Sequence, residues 1–137
     1  MSGILLDTNV ISEATRPTPD QNVLAFLAAS QSFWLSAIVV HELEYGIGQM
    51  PSGRRRDHLA ATIRSFVAEA GDQVLPVGVP ESVRAAEFRV FVRRSGRTLT
   101  ISDSLIAATA SVNHLTLATR DTSDLTGLDL RVVNPWE

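Results

Sequence analysis

Four acidic side chains in this sequence occupy positions that suit metal-dependent chemistry. Asp7 and Asp121 each follow a short apolar run. Glu42 and Asp103 lie near the starts of predicted helices. Carboxylates that cluster repel one another, and a hard divalent cation, which prefers oxygen ligands, relieves that repulsion. Such an ion binds phosphodiesters and activates attacking water, so a site that unites the four acids would suit phosphate chemistry with Mg²⁺ or Mn²⁺.

Each of these acids also has an ordinary structural interpretation. Asp7 and Asp103 have the residue type of helix N-caps, and Ser102 before Asp103 strengthens that pattern. Asp121 fits a turn, and Glu42 fits a solvated helix position. Spacing alone therefore leaves both interpretations open.

The composition limits the chemistry that is available. The chain has 137 residues, 45% of them hydrophobic, and contains no cysteine, which excludes disulfides, thiol catalysis and cysteine-bound zinc. All 12 basic residues are arginine, so lysine Schiff bases and a phosphate-binding lysine are excluded. The net charge of −3 means that contacts with nucleic acid would need local arginines. The candidates for such contacts are Arg54, Arg55, Arg56, Arg93, Arg94, Arg97 and Arg120.

Hydrophobic periodicity predicts strands that alternate with helices. The predicted strands are Ile4–Leu6, Phe33–Ile38, Val74–Val79, Leu115–Thr119 and Leu130–Val133, with Pro76 making the third irregular. The predicted helices are Gln21–Ser30, one through Val39, Leu43 and Ile47, Asp57–Ala70, one from Pro80 to Gly96, and one from Ser102 to about Val112. No internal repeat or linker is evident, so we expect one domain over residues 1–137. With no apolar run of membrane-spanning length and no secretory signal pattern, we expect a cytoplasmic protein.

This alternation indicates an α/β fold, a mainly parallel central sheet covered by helices on both faces. In such folds the active crevice lies at the carboxyl ends of the strands. Asp7 and Asp121 should therefore emerge at the same sheet edge. The turns that lead into the helices of Glu42 and Asp103 are expected at that edge as well.

Four segments of the sequence stand out together and in order: ILLDTNVISE at 4–13, LSAIVVHELEYG at 35–46, DSLIAATA at 103–110 and LATRD at 117–121. Together they resemble the PIN-domain ribonucleases, and within them the VapC and FitB toxins of bacterial toxin–antitoxin pairs. The resemblance extends to Asn134-Pro135-Trp136 and thus covers nearly the whole chain. It implies a three-layer α/β/α sandwich formed by a single PIN-like nuclease domain.

The resemblance also implies Mg²⁺- or Mn²⁺-dependent endonucleolytic cleavage of RNA. The acidic ligands and catalytic residues would be Asp7, Glu42, Asp103 and Asp121. The supporting polar residues would be Thr8, Asn9 and Thr119, and Asp124 could share or replace the role of Asp121.

The implied partners are a small cognate antitoxin, an RNA substrate such as a tRNA or rRNA, and a second copy in a homodimer. Operator DNA would be bound only through the antitoxin, and no membrane is involved.

A module that binds RNA or regulates without turnover, while retaining the acidic pocket, is the alternative function. A receiver-like phosphoacceptor domain is disfavoured because it would need a lysine. A phosphatase with Asp7 as nucleophile would need a second aspartate where Asn9 stands.

Overall fold

The structure, a computed structural model, describes residues 3–30 and 32–137. Within this part of the chain the strands are β1 (Ile4–Leu6), β2 (Leu35–Ser36), β3 (Val74–Leu75), β4 (Thr116–Ala118) and β5 (Val132–Val133). The helices are α1 (Thr8–Ala14), α2 (Gln21–Ala29), α3 (Ala37–Gln49), α4 (Arg54–Ala70), α5 (Val79–Arg94) and α6 (Ile101–Val112). Short 3₁₀ turns follow at Gly71–Gln73 and Thr122–Leu125.

The strands form a parallel sheet in the spatial order β3, β2, β1, β4, β5. β1 pairs with β4, β4 with β5, and β2 with β3, each in parallel. Trp34 joins the two halves, since its backbone N–H donates to the carbonyl of Ile4 and its carbonyl accepts from Leu6. The chain leaves β1 toward β2 and later returns to β4 on its other side. The crevice that accompanies such a reversal therefore lies between the carboxyl ends of β1 and β4.

The fold class predicted from the sequence is confirmed: helices cover a parallel sheet in a three-layer α/β/α sandwich. Leu5 and Leu117 face each other across β1 and β4 and are fully or almost fully buried. Val39 from α3, Val92 from α5 and Ile106 from α6 belong to the same hydrophobic core. Burying such side chains stabilises the fold by roughly 1.5–3 kcal/mol each. Among the described helices, none is both long enough and apolar enough to cross a membrane.

The predicted strands are too long wherever a helix cap intervenes. The strand predicted at Phe33–Ile38 is wrong beyond Ser36, because the Ser36 hydroxyl accepts from the Ile38 backbone N–H and starts α3 at Ala37. The strand predicted at Val74–Val79 ends at Leu75. Pro76 has no N–H to donate, and α5 already begins at Val79.

Several helix starts also differ from the prediction. The sequence analysis gave Asp7 as a possible N-cap but predicted no helix after it, whereas α1 follows and buries Val10 and Ile11. α4 begins at Arg54 rather than Asp57, and α6 begins at Ile101 rather than Ser102. These differences arise because caps and tertiary packing, rather than apolar periodicity, decide where the first turn forms.

A buried hydrogen bond fastens the start of α3 to α6, the two helices that carry Glu42 and Asp103. The hydroxyls of Ser36 and Thr109 are 3.0 Å apart and both residues are fully buried. The Thr109 hydroxyl donates its single proton to the carbonyl of Leu105 at 2.7 Å. Ser36 must therefore be the donor to Thr109.

We expect Ser36→Ala and Thr109→Val to be energetically coupled. Removing either partner leaves the other hydroxyl less satisfied in the core, which costs about 1–3 kcal/mol. The double variant should cost less than the sum of the single variants by about 1 kcal/mol. Urea denaturation of the four proteins measures this coupling. Strictly additive losses would show that the two hydroxyls do not depend on each other.

Candidate active site

Asp7 combines the role of a helix cap with a place in the acidic cluster. It follows β1 directly, and its Oδ1 accepts from the Thr8 backbone N–H at 2.7 Å, which starts α1. Its Oδ2 accepts from the Thr119 hydroxyl at 2.7 Å. The structural and the functional interpretation of Asp7 are thus compatible, since one oxygen caps the helix and the other faces β4.

Burial raises the pKa of Asp7 to about 6. The hydrogen bonds from Thr119 and from the Thr8 backbone oppose this effect, while the negative charges of Asp103 and Glu42 add to it. The carboxyl therefore lies in a pocket where water is scarce and where other acids are close enough to act on it.

Thr119 is the polar centre of the pocket and is fully buried. Besides donating to Asp7, its hydroxyl accepts from the Asn9 side-chain N–H at 3.2 Å and from the Asp121 backbone N–H at 3.1 Å. Asn9 also donates to Oδ2 of Asp121 at 3.2 Å. One hydroxyl thus connects the residues that follow β1 to those that follow β4.

Two hydroxyl groups orient Glu42. Thr8 donates to Oε1 at 2.6 Å, and Ser102 donates to Oε2 at 2.7 Å. These donors come from α1 and α6, so the carboxylate on α3 is held between two other helices. The Glu42 charge raises the pKa of both Asp7 and Asp103, which places it in the same electrostatic cluster.

Asp103 belongs to the first turn of α6 but does not cap it. The Thr100 hydroxyl is the cap and accepts from the Asp103 backbone N–H at 3.1 Å. The N-cap interpretation of Asp103 is therefore wrong. Burial raises the pKa of Asp103 against the opposing Thr100 hydrogen bond, and the charges of Glu42, Asp121 and Asp124 raise it further.

Asp121 and Asp124 complete the rim of this pocket. Both are exposed, and Asp124 stands in the 3₁₀ turn Thr122–Leu125. They line one small cavity together with Asp7, Asp103 and Thr119. Both carboxylates are thus accessible at the rim. Asp121 and Asp124 are therefore both candidates for the fourth acidic ligand beside Asp7, Glu42 and Asp103.

The donor atoms suit a hard cation, although no closed metal cage is preformed. Within residues 3–30 and 32–137, no three acidic or histidine side chains are grouped as a ready metal-binding set. The Oδ1 atom of Asn9, however, is buried and accepts no hydrogen bond. Mg²⁺ commonly retains several waters and takes only one or two carboxylates, so this oxygen-rich pocket fits Mg²⁺ or Mn²⁺.

Comparisons with known proteins agree with this architecture. The family model described as the PIN domain matches residues 4–125. The chain belongs to the PIN-domain family. It is 39% identical over 137 residues to the VapC ribonuclease Y4jK of Sinorhizobium fredii, covering 98% of each chain. It is 38% identical over 136 residues to the toxin FitB of Neisseria gonorrhoeae, covering 97% of this chain and 98% of FitB.

Solved structures extend this likeness to three dimensions. A FitAB complex bound to the IR36 DNA fragment contains a chain that superposes with a TM-score of 0.92 at 36% identity, covering 98% of this PIN-domain chain and 96% of the other. The FitAcB crystal structure from Neisseria gonorrhoeae gives a TM-score of 0.90, also at 36% identity, with coverage of 98% and 99%. The predicted family, including its VapC and FitB branch, is confirmed.

The arginines proposed from the sequence lie in different surroundings in this PIN domain. Arg54, Arg55 and Arg56 form the first turn of α4, and Arg93 and Arg94 form the last turn of α5. Helix dipoles favour cations only at the second of these places. The guanidinium of Arg120 stacks on the ring of Trp136, 4.9 Å from its centroid.

Two positioning residues escaped the sequence analysis. Arg97 was predicted only as an RNA contact. Its guanidinium donates to the carbonyls of Ser123, Asp124 and Thr126 and so fixes the turn that carries Asp124. Ser102 was read only as part of a cap pattern, yet it holds Glu42. No local signal marks either role, because both act on residues distant in the sequence.

The raised pKa of Asp7 predicts how stability depends on pH without divalent metal. Between about pH 3.8 and 6 the unfolded chain releases the Asp7 proton while the folded chain still holds it, so folding stability falls as the pH rises; above about pH 6 both states are ionised and the loss levels off. Between pH 3 and 8 the wild-type chain should lose about 3 kcal/mol of folding free energy relative to Asp7→Asn. Urea denaturation in EDTA across this range measures the difference, and parallel pH profiles would contradict it.

Proposed function

We propose that this chain is a Mg²⁺- or Mn²⁺-dependent endoribonuclease that acts as the toxin of a type II toxin–antitoxin system. The observation that carries the proposal is the acidic pocket between the carboxyl ends of β1 and β4, held by the Thr119 hydroxyl. Its setting in a PIN-domain chain, with relatives named as a ribonuclease and as a toxin, supports this assignment.

The metal would be held by oxygen atoms of the acidic cluster, Asp7, Glu42, Asp103 and Asp121, with Asp124 at the rim. When bound, the ion supplies a Lewis acid that lowers the pKa of attacking water and offsets charge on the phosphate. The chain contributes no lysine or cysteine for this purpose, and the buried Asn9 Oδ1 offers one more hard donor.

The protein's own polar residues keep the carboxylates oriented. Thr119 holds Asp7, Asn9 holds Asp121, and the hydroxyls of Thr8 and Ser102 hold Glu42. Because these partners are neutral, they fix geometry without cancelling the negative charge. The pocket consequently keeps the negative charge that would attract a cation. A bound cation would then stabilise the charge that develops on the phosphate.

RNA would reach the pocket with help from surface arginines. Arg54, Arg55, Arg56, Arg93 and Arg94 are candidates for phosphate contacts, since a guanidinium pairs well with phosphate oxygens. Arg97 and Arg120 are already engaged with backbone carbonyls and with Trp136, and would contribute by shaping the rim.

The partner proteins follow from the same assignment. We infer a small antitoxin that inhibits the chain and alone contacts operator DNA, consistent with relatives solved as FitAB and VapBC complexes. We further infer a cytoplasmic homodimer. An apolar stripe on α5 supports self-association, since Val79, Val83 and Val90 are 77%, 56% and 48% exposed at spacings of four and seven residues.

Cleavage should require Glu42 but not its neighbour Glu44. Purified chain with Mn²⁺ or Mg²⁺ is expected to cut RNA into fragments, and Glu42→Gln should reduce the rate by about 100-fold or more, the loss typical for a group that stabilises reacting charge. Glu44→Gln is the matched control on the same helix, because Glu44 pairs bidentately with Arg64 on α4. Gel analysis of end-labelled RNA measures the rates, and equal rates for both variants would contradict the proposal.

The alternative of RNA binding without turnover has a distinct signature in this assay. RNA would then be retained in gel shifts, with no product under Mg²⁺ or Mn²⁺. Cleavage that is insensitive both to EDTA and to Asp7→Asn would contradict the metal-dependent assignment.

Divalent metal should stabilise the folded chain through the same acids. At pH 8, excess Mn²⁺ should raise the melting temperature of the wild type, because binding to the native state adds a free energy of about RT ln(1 + [L]/Kd), roughly 2.7 kcal/mol at 100 times Kd. Asp103→Asn should largely remove this increase. Differential scanning calorimetry with Mn²⁺ and with EDTA makes the comparison, and an unchanged increase in the variant would exclude Asp103 as a ligand.

A further inference from the structure

A groove on α3 opens beside Glu42 and leads away from the acidic pocket. We call it the α3 groove; it measures about 560 Å³ and is lined by residues that include His41, Glu42, Tyr45, Gly46, Gln49 and Ile101. Thr8 and Ser102, whose hydroxyls hold Glu42, line it as well. Glu42 thus belongs both to this groove and to the proposed site of phosphate chemistry, although the groove shares no lining residue with the cavity around Asp7 and Asp103.

The groove presents an aromatic platform to solvent. Tyr45 is 63% exposed, so core packing does not explain its position. Its ring lies almost parallel to that of His41, with 17° between the planes and 6.4 Å between the centroids. Ile101, at the other wall, is also 61% exposed. Flat aromatic rings beside an apolar side chain form the kind of surface on which an unpaired nucleic-acid base stacks.

We propose that the α3 groove binds an unpaired RNA base by stacking it on Tyr45. This inference rests on the proposed ribonuclease function and adds to it a subsite for one unpaired base beside Glu42. A base inside a duplex already stacks on both faces, whereas an unpaired base is free to stack on a protein ring.

The spacing along α3 suits a base next to the phosphate at the acids. Tyr45 follows Glu42 by three residues, which is an axial rise of about 4.5 Å, and both face the same groove. Gln49 lies one turn beyond Tyr45, and its side-chain amide offers donors and an acceptor to a base edge. The platform and the acids are therefore within reach of adjoining nucleotides.

Gly46 keeps the groove open. Apart from its chain neighbours and the backbone of its own helix, a Cβ atom built at this position would meet nothing within 4 Å. A larger side chain there would consequently project into free space within the groove rather than into the core. Substitution at Gly46 thus provides a way to fill the proposed base site without disturbing the fold.

The sole tyrosine of the chain allows a direct test of stacking. Protein labelled with 3-fluorotyrosine has one ¹⁹F resonance, from Tyr45, and is used as Asp103→Asn with Mg²⁺ to suppress cleavage. A hexauridine or hexaadenosine RNA should shift this resonance, whereas an abasic ribose-phosphate of equal length should not. No base-dependent shift would overturn the proposal. A shift produced by raising the protein concentration alone, with no further change upon RNA addition, would assign the groove to a second copy and overturn it also.

Kinetic variants test the same site in active protein. Tyr45→Ala should raise KM by about 5- to 150-fold, the range expected for one lost base stack, with kcat nearly unchanged. Tyr45→Phe and Tyr45→Trp should restore KM because they retain a ring. Gly46→Leu should fold with an undiminished melting temperature and still raise KM. Phe91→Ala is the control, since Phe91 is a 45% exposed aromatic on α5 outside the groove.

The outcomes separate this inference from the proposed function. Cleavage that proceeds with the wild-type KM in Tyr45→Ala would overturn the base site and leave the ribonuclease assignment intact. A base-dependent ¹⁹F shift in the Asp103→Asn protein, together with a wild-type chain that cuts no RNA under either metal, would support the base site and contradict the ribonuclease assignment.

Discussion

A single buried hydroxyl group, that of Thr119, fixes the relative positions of the residues in the acidic pocket. The Thr119 side chain has one proton and two lone pairs, and all of them are used: the proton goes to Asp7, and the lone pairs accept from Asn9 and from the Asp121 backbone. Because Thr119 is inaccessible to water, no solvent molecule could replace these bonds. The position of Asp7 relative to Asp121 therefore depends on the pairing of β1 with β4.

The pocket gathers negative charge without neutralising it. Burial and neighbouring charges raise the pKa of Asp7 and of Asp103, so their ionised forms are less stable than they would be in water. In the described part of the chain, the arginine ion pairs involve other acids, namely Glu13, Glu44 and Glu87. Neutral hydroxyl and amide groups hold the pocket instead, and this leaves its charge available to a cation.

Helix capping explains both the successes and the errors of prediction at the site. Asp7 was predicted as either a cap or a ligand, and it is a cap whose second oxygen remains in the cluster. Asp103 looked like a cap by residue type, but Thr100 three residues earlier has that role. β-Branched residues led to a predicted strand as far as Ile38, but the Ser36 side chain caps α3 and the strand ends there. Residue type correctly indicated that a polar side chain would cap each helix, but it did not decide which of several neighbouring polar residues would be the N-cap.

Local pattern alone was sufficient for the broad architecture. Apolar runs separated by helical periodicity predicted the parallel α/β fold and placed Asp7 and Asp121 at one sheet edge, whereas the supporting roles of Thr8, Asn9 and Thr119 came from the family resemblance. These features depend on interactions between residues close in sequence, which a linear pattern records.

Only the tertiary structure decided which polar groups hold which acid. Thr8 and Glu42 are 34 positions apart, Ser102 and Glu42 are 60 apart, and Asp7 and Thr119 are 112 apart. Arg97 likewise bonds to a backbone carbonyl 27 positions away, that of Asp124 in the 3₁₀ turn. Such bonds depend on strand order and helix packing, because a hydrogen bond forms only when two groups meet within about 3 Å, whatever their separation along the chain.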